Sequence, residues 1–287
     1  QDYDNGNNDN LLTGIATTGW GYFSDTWKYL YEGISRSNDA IKNIPLLSPS
    51  TPQKKSRLVA ECKFLRAYFY FRLAELYQNV PIYTEPTAYN QFGKSSSPRD
   101  SVWMQVINDL SDAINEPNLP SFYASGNSNW GHVTKGAAYA LRGEVFMWQK
   151  KYDLAIADFQ KVKDAGYSLF TGAGVQSYKM LFKQAQNQCS EMIFSMQNNP
   201  VSGYGGTTEF YCGTRSSFGS CWDWYSPSNF LVELYENADG SKFNWDDVIP
   251  GYNEMSPAAR EVYFIRNNAT TSELAAAQGR GADVSKY

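Results

Sequence analysis

The chain has 287 residues, 42% of them hydrophobic, so it can bury a sizeable core as one large domain or two ordinary ones. Its net charge of −4 argues against a nucleic-acid partner, which needs a basic face. No run of about 18 apolar residues is present, so no transmembrane helix is expected, and no secretory signal is seen.

Residues 1–22 are rich in Asn, Asp, Gly and Thr and read as loop. Ser24 is the expected N-cap of a helix carrying Trp27, Leu30, Tyr31, Ile34, Asn38 and Ile41 on one face. Asn38 falls on that apolar face and needs a hydrogen-bond partner if buried. Pro45 and Pro49 close the segment. A second helix is expected over 54–78, with Phe64, Leu65, Tyr68, Phe71, Leu73 and Leu76 covering much of its circumference, the pattern of a central helix. Pro81 ends it by biasing Val80 away from the helical region. Residues 86–97 read as polar loop. Ser97-Pro98-Arg99-Asp100 is expected to supply a cap, Pro at N1 and an acid for the next helix, whose stripe is Trp103, Val106, Ile107, Leu110 and Ile114. A helical hairpin is predicted over 133–149 and 152–165, joined at Lys150-Lys151. Beyond Gly166 the chain turns to Gly, Ser, Asn and aromatics until about Tyr225, with a short strand expected in 191–197. Helices are expected again at 228–236, 256–260 and 271–277. The end, 279–287, carries no stop signal.

Helix pairs point to a repeat architecture. The hairpin fits the tetratricopeptide pattern at Tyr139, Gly143, Phe146, Ala155 and Phe159, with Val162 for the usual Ala. Arg142 departs from it, standing where an aliphatic is expected, and Tyr167 stands near the usual Pro.

Aromatics make up 16% of the chain, with 21 Tyr and 8 Trp. One reading is a Tyr-rich helical core. The other is a surface that stacks on flat ligand faces, and sugars suit it, because a pyranose presents C–H bonds on a face and hydroxyls on its rim. Trp20, Tyr22 and Phe23 fall in the loop before the first helix; Phe210, Tyr211, Trp222, Trp224 and Tyr225 crowd another. Loops on a rigid scaffold are where binding sites gather. Trp27 and Tyr31 are assigned to the core.

Catalytic signals are sparse. The single His, His132, sits before a helix and reads as a cap or surface group. No G-x-S-x-G or H-E-x-x-H motif occurs, and Gly203-Tyr204-Gly205-Gly206 lacks the flanks of a phosphate loop. Asp246-Asp247 reads as solvated acids rather than a glycosidase pair. Asp2, Asp4 and Asp9 lack a full calcium loop, and no C-x-x-C pair marks a zinc site. Of four cysteines, Cys62 is expected to be a core thiol. A Cys212–Cys221 disulfide would fit an oxidising setting, though connectivity is not fixed by spacing.

Five blocks together carry a resemblance: WKYLYEGISRSNDAI at 27–41, AECKFLRAYFYFRLAELYQNVPIYTEP at 60–86, GHVTKGAAYALRGEVFMW at 131–148, NQCSEMIFSMQ at 187–197 and WYSPSNFLVELY at 224–235. In order and spacing they resemble signatures of the SusD/RagB-like outer-membrane nutrient-binding lipoproteins, with His132 where that family usually has Arg. The resemblance implies a mainly α fold: tetratricopeptide-like helix pairs forming a right-handed superhelical scaffold, a loop-rich irregular half and few short strands. It implies one domain over 1–287, cut at both ends, with the scaffold at 24–166 and the ligand-binding half at 167–287. It implies a non-enzymatic receptor without cofactor or metal, held at the extracellular face of the outer membrane by a lipid anchor outside this chain. Its partners would be an oligosaccharide or polysaccharide and a SusC-like TonB-dependent transporter. In that family an arc of aromatics with Asn, Arg and acidic partners grips the ligand. By that likeness Trp20, Trp222 and Trp224 would stack, with Tyr22, Tyr211 and Tyr225 beside them, and Asn7, Asn10, Arg215 and Asp223 would bond hydroxyls. Two other readings stay open on the residues alone: a tetratricopeptide-type scaffold for a peptide or protein, and an α-helical glycosidase.

Overall fold

Residues 17, 21–87, 93–195, 234–237, 239–247 and 251–256 are described by the structure, a computed structural model. The chain divides into two units, Thr18–Gln197 and the pairing of Gln1–Thr17 with Asn198–Tyr287.

The first unit is helical: α1 Gly21–Asn43, α2 Pro52–Tyr77, α3 Arg99–Asn115, α4 Lys135–Trp148, α5 Tyr152–Asp164 and a short α6 Ser177–Leu181. Each of α1 to α5 packs on the next in sequence, the arrangement of tetratricopeptide-like pairs. α2 begins where Thr51 accepts a hydrogen bond from the Lys54 amide and Pro52 takes a first-turn position that needs no donor. It packs against both α1 and α3, so Phe64, Ala67, Tyr70, Phe71 and Leu73 are buried along it. It is central but not sealed all round: Tyr68 and Leu76, expected among its covered residues, are exposed. Val102, Val106 and Leu110 of α3 and Val145 of α4 continue the same core.

The α4–α5 hairpin shows why its glycine is there. A Cβ on Gly143 would lie 2.7 Å from the Phe159 ring, so only the bare backbone admits that ring. Lys150 turns the chain with φ 58°, and Ala155 and Val162 are buried against α4. Arg142, the residue that departs from the repeat pattern, grips Asp158 with two hydrogen bonds of 2.7 Å each and donates a third to Ser111 at 2.9 Å. It ties three helices together where an aliphatic would tie two. Tyr167 closes the pair by sharing a 2.8 Å hydrogen bond with Thr134, the α4 cap.

Two charges go deeper. The side chains of Arg66 on α2 and Asp109 on α3 are 6% and 3% exposed. Arg66 donates from Nε to Asp109 Oδ2 at 2.8 Å and from Nη2 to Oδ1 at 2.6 Å. Its Nη1 reaches the Asn38 side-chain oxygen on α1 at 2.7 Å. Buried ions need such complete pairing because desolvation costs each several kcal/mol.

Several expectations are corrected. α1 starts at Gly21 rather than after Ser24, so Tyr22 and Phe23 are helical; Ser24 is inside the first turn, donating to the Gly21 carbonyl at 2.9 Å. Ser97 does not cap α3. Its backbone pairs with Val80 instead, Pro98 takes the cap position, and the Arg99 amide is received by Asn79 Oδ1 at 2.9 Å. Within 191–195, the described part of the expected strand, no strand forms. The Ser168 amide bonds the Ser190 carbonyl, and no ladder follows. Leu234 to Glu236, the described end of the helix expected at 228–236, is turn and bridge. The helices expected at 256–260 and 271–277 lie outside the described residues but for Ser256, as do Cys212 and Cys221. Cys62 is half-buried rather than sealed in the core, and it and Cys189 are free thiols.

In the second unit, Glu236 bridges Lys242, and two 3-10 turns, Trp245–Asp247 and Tyr252–Glu254, follow. Among the described residues no helix is long and apolar enough to cross a membrane.

Two outcomes are expected. Asp109→Ala strands a buried guanidinium and should cost about 3–5 kcal/mol in urea unfolding. Burial, with the Glu61 carboxylate adding to it, pushes the Cys62 thiol up to about 11. A raised pKa favours the folded state below the unfolded value of about 8.5, and that contribution fades as pH climbs through the folded one. At pH 8.5 Cys62 should therefore alkylate about two orders of magnitude more slowly in the folded chain than in denaturant, read by mass spectrometry.

Candidate functional site

α2 ends at Tyr77, with Gln78 at φ 64°, and the chain leaves as an extended segment. Val80 and Ser97 exchange both backbone hydrogen bonds, 3.2 and 3.0 Å, so the excursion between them is pinned at its two ends. Among the described residues the segment 81–85 pairs with no strand, and side chains bond its carbonyls one by one. Tyr31 donates to Pro81 O at 2.7 Å and Lys94 to Ile82 O at 3.3 Å. Asn38 Nδ2 donates to Tyr83 O at 3.0 Å and Glu85 O at 3.2 Å, and Arg66 to Thr84 O at 2.8 Å. Tyr70, wholly buried, receives the Tyr83 amide at 2.6 Å and donates back to its carbonyl at 3.0 Å. Burial pushes the Tyr31 and Tyr70 hydroxyls well above the usual phenol range, which keeps both as donors. Asn38, flagged by the sequence as needing a partner, thus has three.

This anchoring sets one wall of a hollow of about 580 Å³, whose other wall is α1. Trp27 and Tyr31 come from α1; Pro81 and Tyr83 from the extended segment. Trp27 and Tyr31 lie 4.9 Å apart by ring centroid, and Tyr83 meets Tyr31 edge-on at 6.0 Å. All three rings are half-buried. Lys94 Nζ stands 4.9 Å above the Tyr83 ring. Lys28, Glu32 and Ser35 add a polar edge from α1. Trp27 also packs on Tyr77 at 5.0 Å, and Tyr77 donates to the Phe23 carbonyl at 2.5 Å. The core assignment of Trp27 and Tyr31 therefore describes only part of their surroundings. Sequence periodicity missed the hollow because a ring on the apolar stripe reads as core. The usable signal was a polar stripe, Lys28, Glu32 and Ser35, running one residue beside the apolar one.

A second hollow opens between α2, α4 and α5, with Phe64, Tyr68, Leu141, Met147, Phe159 and Phe194 around it. Phe194 meets Phe64 edge-on at 5.1 Å.

Of the residues predicted to bind ligand, Tyr22 is described: it is 57% exposed in the first turn of α1, with its ring edge-on to Phe23 at 6.0 Å. Trp20, Tyr211, Arg215, Trp222, Asp223, Trp224 and Tyr225 lie outside the described residues, as do Asn7 and Asn10. His132 does not cap α4 but is exposed, as expected of a surface group, with its Nδ1 2.7 Å from Glu61 Oε2 on α2. Asp246 accepts from both the amide and the side chain of Asn253, at 2.9 and 2.8 Å. Asp247 accepts from Asn244 at 3.0 Å, so the acid pair braces a turn.

The chain resembles known proteins over most of its length. Residues 4–147 match the SusD-like family model described as starch-binding and associating with the outer membrane. The SusD-like protein P25 of Formosa agariphila is 25% identical over 174 residues, 60% of this chain and 32% of that one. A SusD-like protein of Bacteroides fragilis superposes with a TM-score of 0.70 at 25% identity, covering 80% of this chain and 45% of that one. A laminarin-binding SusD-like protein superposes with a TM-score of 0.62 at 28% identity, covering 69% and 47%. This chain therefore spans less than half the length of these relatives. With half of its residues inside the family model and its helix pairs superposing on those structures, the chain belongs to the SusD-like family.

Proposed function

We propose that this chain is the ligand-capturing part of a cell-surface glycan receptor. It holds an oligosaccharide or polysaccharide at the outer face of the outer membrane and passes it to a TonB-dependent transporter. The protein makes and breaks no covalent bond and uses no cofactor. A lipid anchor outside this chain keeps it at the surface. Its division of labour runs from a helical scaffold to aromatic-rich loops that meet the sugar.

The observation that carries this reading is family membership, through a family model whose description is starch binding at the outer membrane. The 28% identical neighbour is named for laminarin, another neutral glucan. The physics agrees: Trp222, Asp223, Trp224 and Tyr225 run together in sequence with Tyr211 and Arg215 close before them. Rings provide a flat apolar face, and Asp and Arg provide directional hydrogen bonds to hydroxyls. Open stacking keeps water at the polar contacts, so affinity is modest.

Trp222→Ala and Trp224→Ala should each weaken binding of laminarin or starch oligosaccharides by about tenfold, ~1.4 kcal/mol, in calorimetry. The circular dichroism of both variants should match the parent. Unchanged affinity in both folded variants removes these rings from the site, and release of reducing ends by the parent protein refutes the non-enzymatic reading.

A further inference from the structure

The hollow between α1 and residues 81–87 and 93–94 has what a sugar site needs, in residues other than the predicted loop cluster. We propose that it is a second binding subsite, for a neutral oligosaccharide; the choice of ligand class rests on the glycan-binding reading above.

Three observations carry the assignment. First, Trp27, Tyr31 and Tyr83 are half-buried rings with the hollow in front of them. A core ring is sealed on all sides, as Tyr70 is at 0% exposure; Trp27 and Tyr31 are only partly covered and line the hollow. Second, the rim carries charges of both signs, Lys28 and Lys94 with Glu32 and Glu85. The two cations offset the two anions, so the hollow selects for no net charge. Glu32 is paired with Arg36 at 3.7 Å and Lys94 with the Ile82 carbonyl; a fatty ligand would still cover charged groups and strip their water, and a strongly anionic or cationic one would meet its own sign. A neutral polyol uses donors and acceptors together. Third, the walls are fixed before any ligand arrives. Every carbonyl from Pro81 to Glu85 is bonded to a side chain. Pre-formed walls lower the ordering cost of binding, and about 580 Å³ lies within the ordinary range of ligand sites.

The test uses the full chain carrying Trp222→Ala and Trp224→Ala, titrated with laminarihexaose and maltohexaose. Residual binding is expected, with hydrogen-exchange protection in peptides covering 27–38 and 81–87. Ser35 is exposed and lines the hollow, so adding Ser35→Trp fills the space without removing packing. It should lower the residual affinity by tenfold or more at an unchanged thermal midpoint. The Lys28→Ala/Glu32→Ala variant reads the rim and should weaken binding several-fold, which keeps the test valid if the Trp variant misfolds. An oligogalacturonate of equal length should bind more weakly than either neutral sugar. The proposal is overturned if protection is confined to other segments, if both folded hollow variants keep the residual affinity, or if the anionic sugar binds best. Those failures would leave glycan binding by the parent chain intact. Absence of heat and protection with every sugar in the parent chain would instead sink the glycan-binding reading itself, and the subsite with it.

Discussion

The contact between Arg66 and Asp109 is the constraint around which the helical unit is arranged. A guanidinium and a carboxylate removed from water are not a source of stability in themselves; their mutual attraction roughly offsets what desolvation costs. They demand geometry instead. The fork of Arg66 leaves two donors for Asp109 on α3 and aims the remaining nitrogen at Asn38 on α1 and the Thr84 carbonyl. One side chain therefore fixes the spacing of three helices and the path of an irregular segment. An apolar substitute of equal volume would fill the space but say nothing about where residues 81–85 should run.

The same device recurs one step along the array. Arg142 clasps Asp158 and touches Ser111, joining α4, α5 and α3. The two sites share a logic: an Arg on the middle helix, its bidentate Asp on the following helix, and a third contact reaching back. Lysine would not serve, because a point charge lacks the planar fork that sets direction. Such clasps give a stack of helices a defined register, whereas apolar stripes alone allow sliding between near-equivalent packings.

The helices of this unit were legible because their apolar residues recur with helical period, and five of them appear where that period put them. Asn38 was legible as a polar residue on an apolar face. Arg66 was not: nothing local ties it to an Asp 43 residues later. The errors at the ends of elements share a cause. Ser24 and Ser97 both look like caps, but a cap depends on which side chain reaches the first amides: Asn79 receives the Arg99 amide, and Ser24 already lies inside the helix. The 191–195 stretch alternates as a strand should, yet a strand exists only with a neighbour to pair with. For the candidate site, a stripe of rings has the same spacing whether it faces protein or solvent. Trp27 and Tyr31 could be placed on a face from sequence, while the open space before them depends on Tyr83 arriving from another element.

The pairing of Val80 with Ser97 bears on how this scaffold diversifies. With Val80 and Ser97 locked together, the chain between these stems can lengthen or shorten with α2 and α3 held in place. Closing a longer loop costs only about 0.6 kcal/mol per doubling of length. A lineage built on this frame can therefore trial insertions and deletions between the two stems, leaving the helices that carry them untouched.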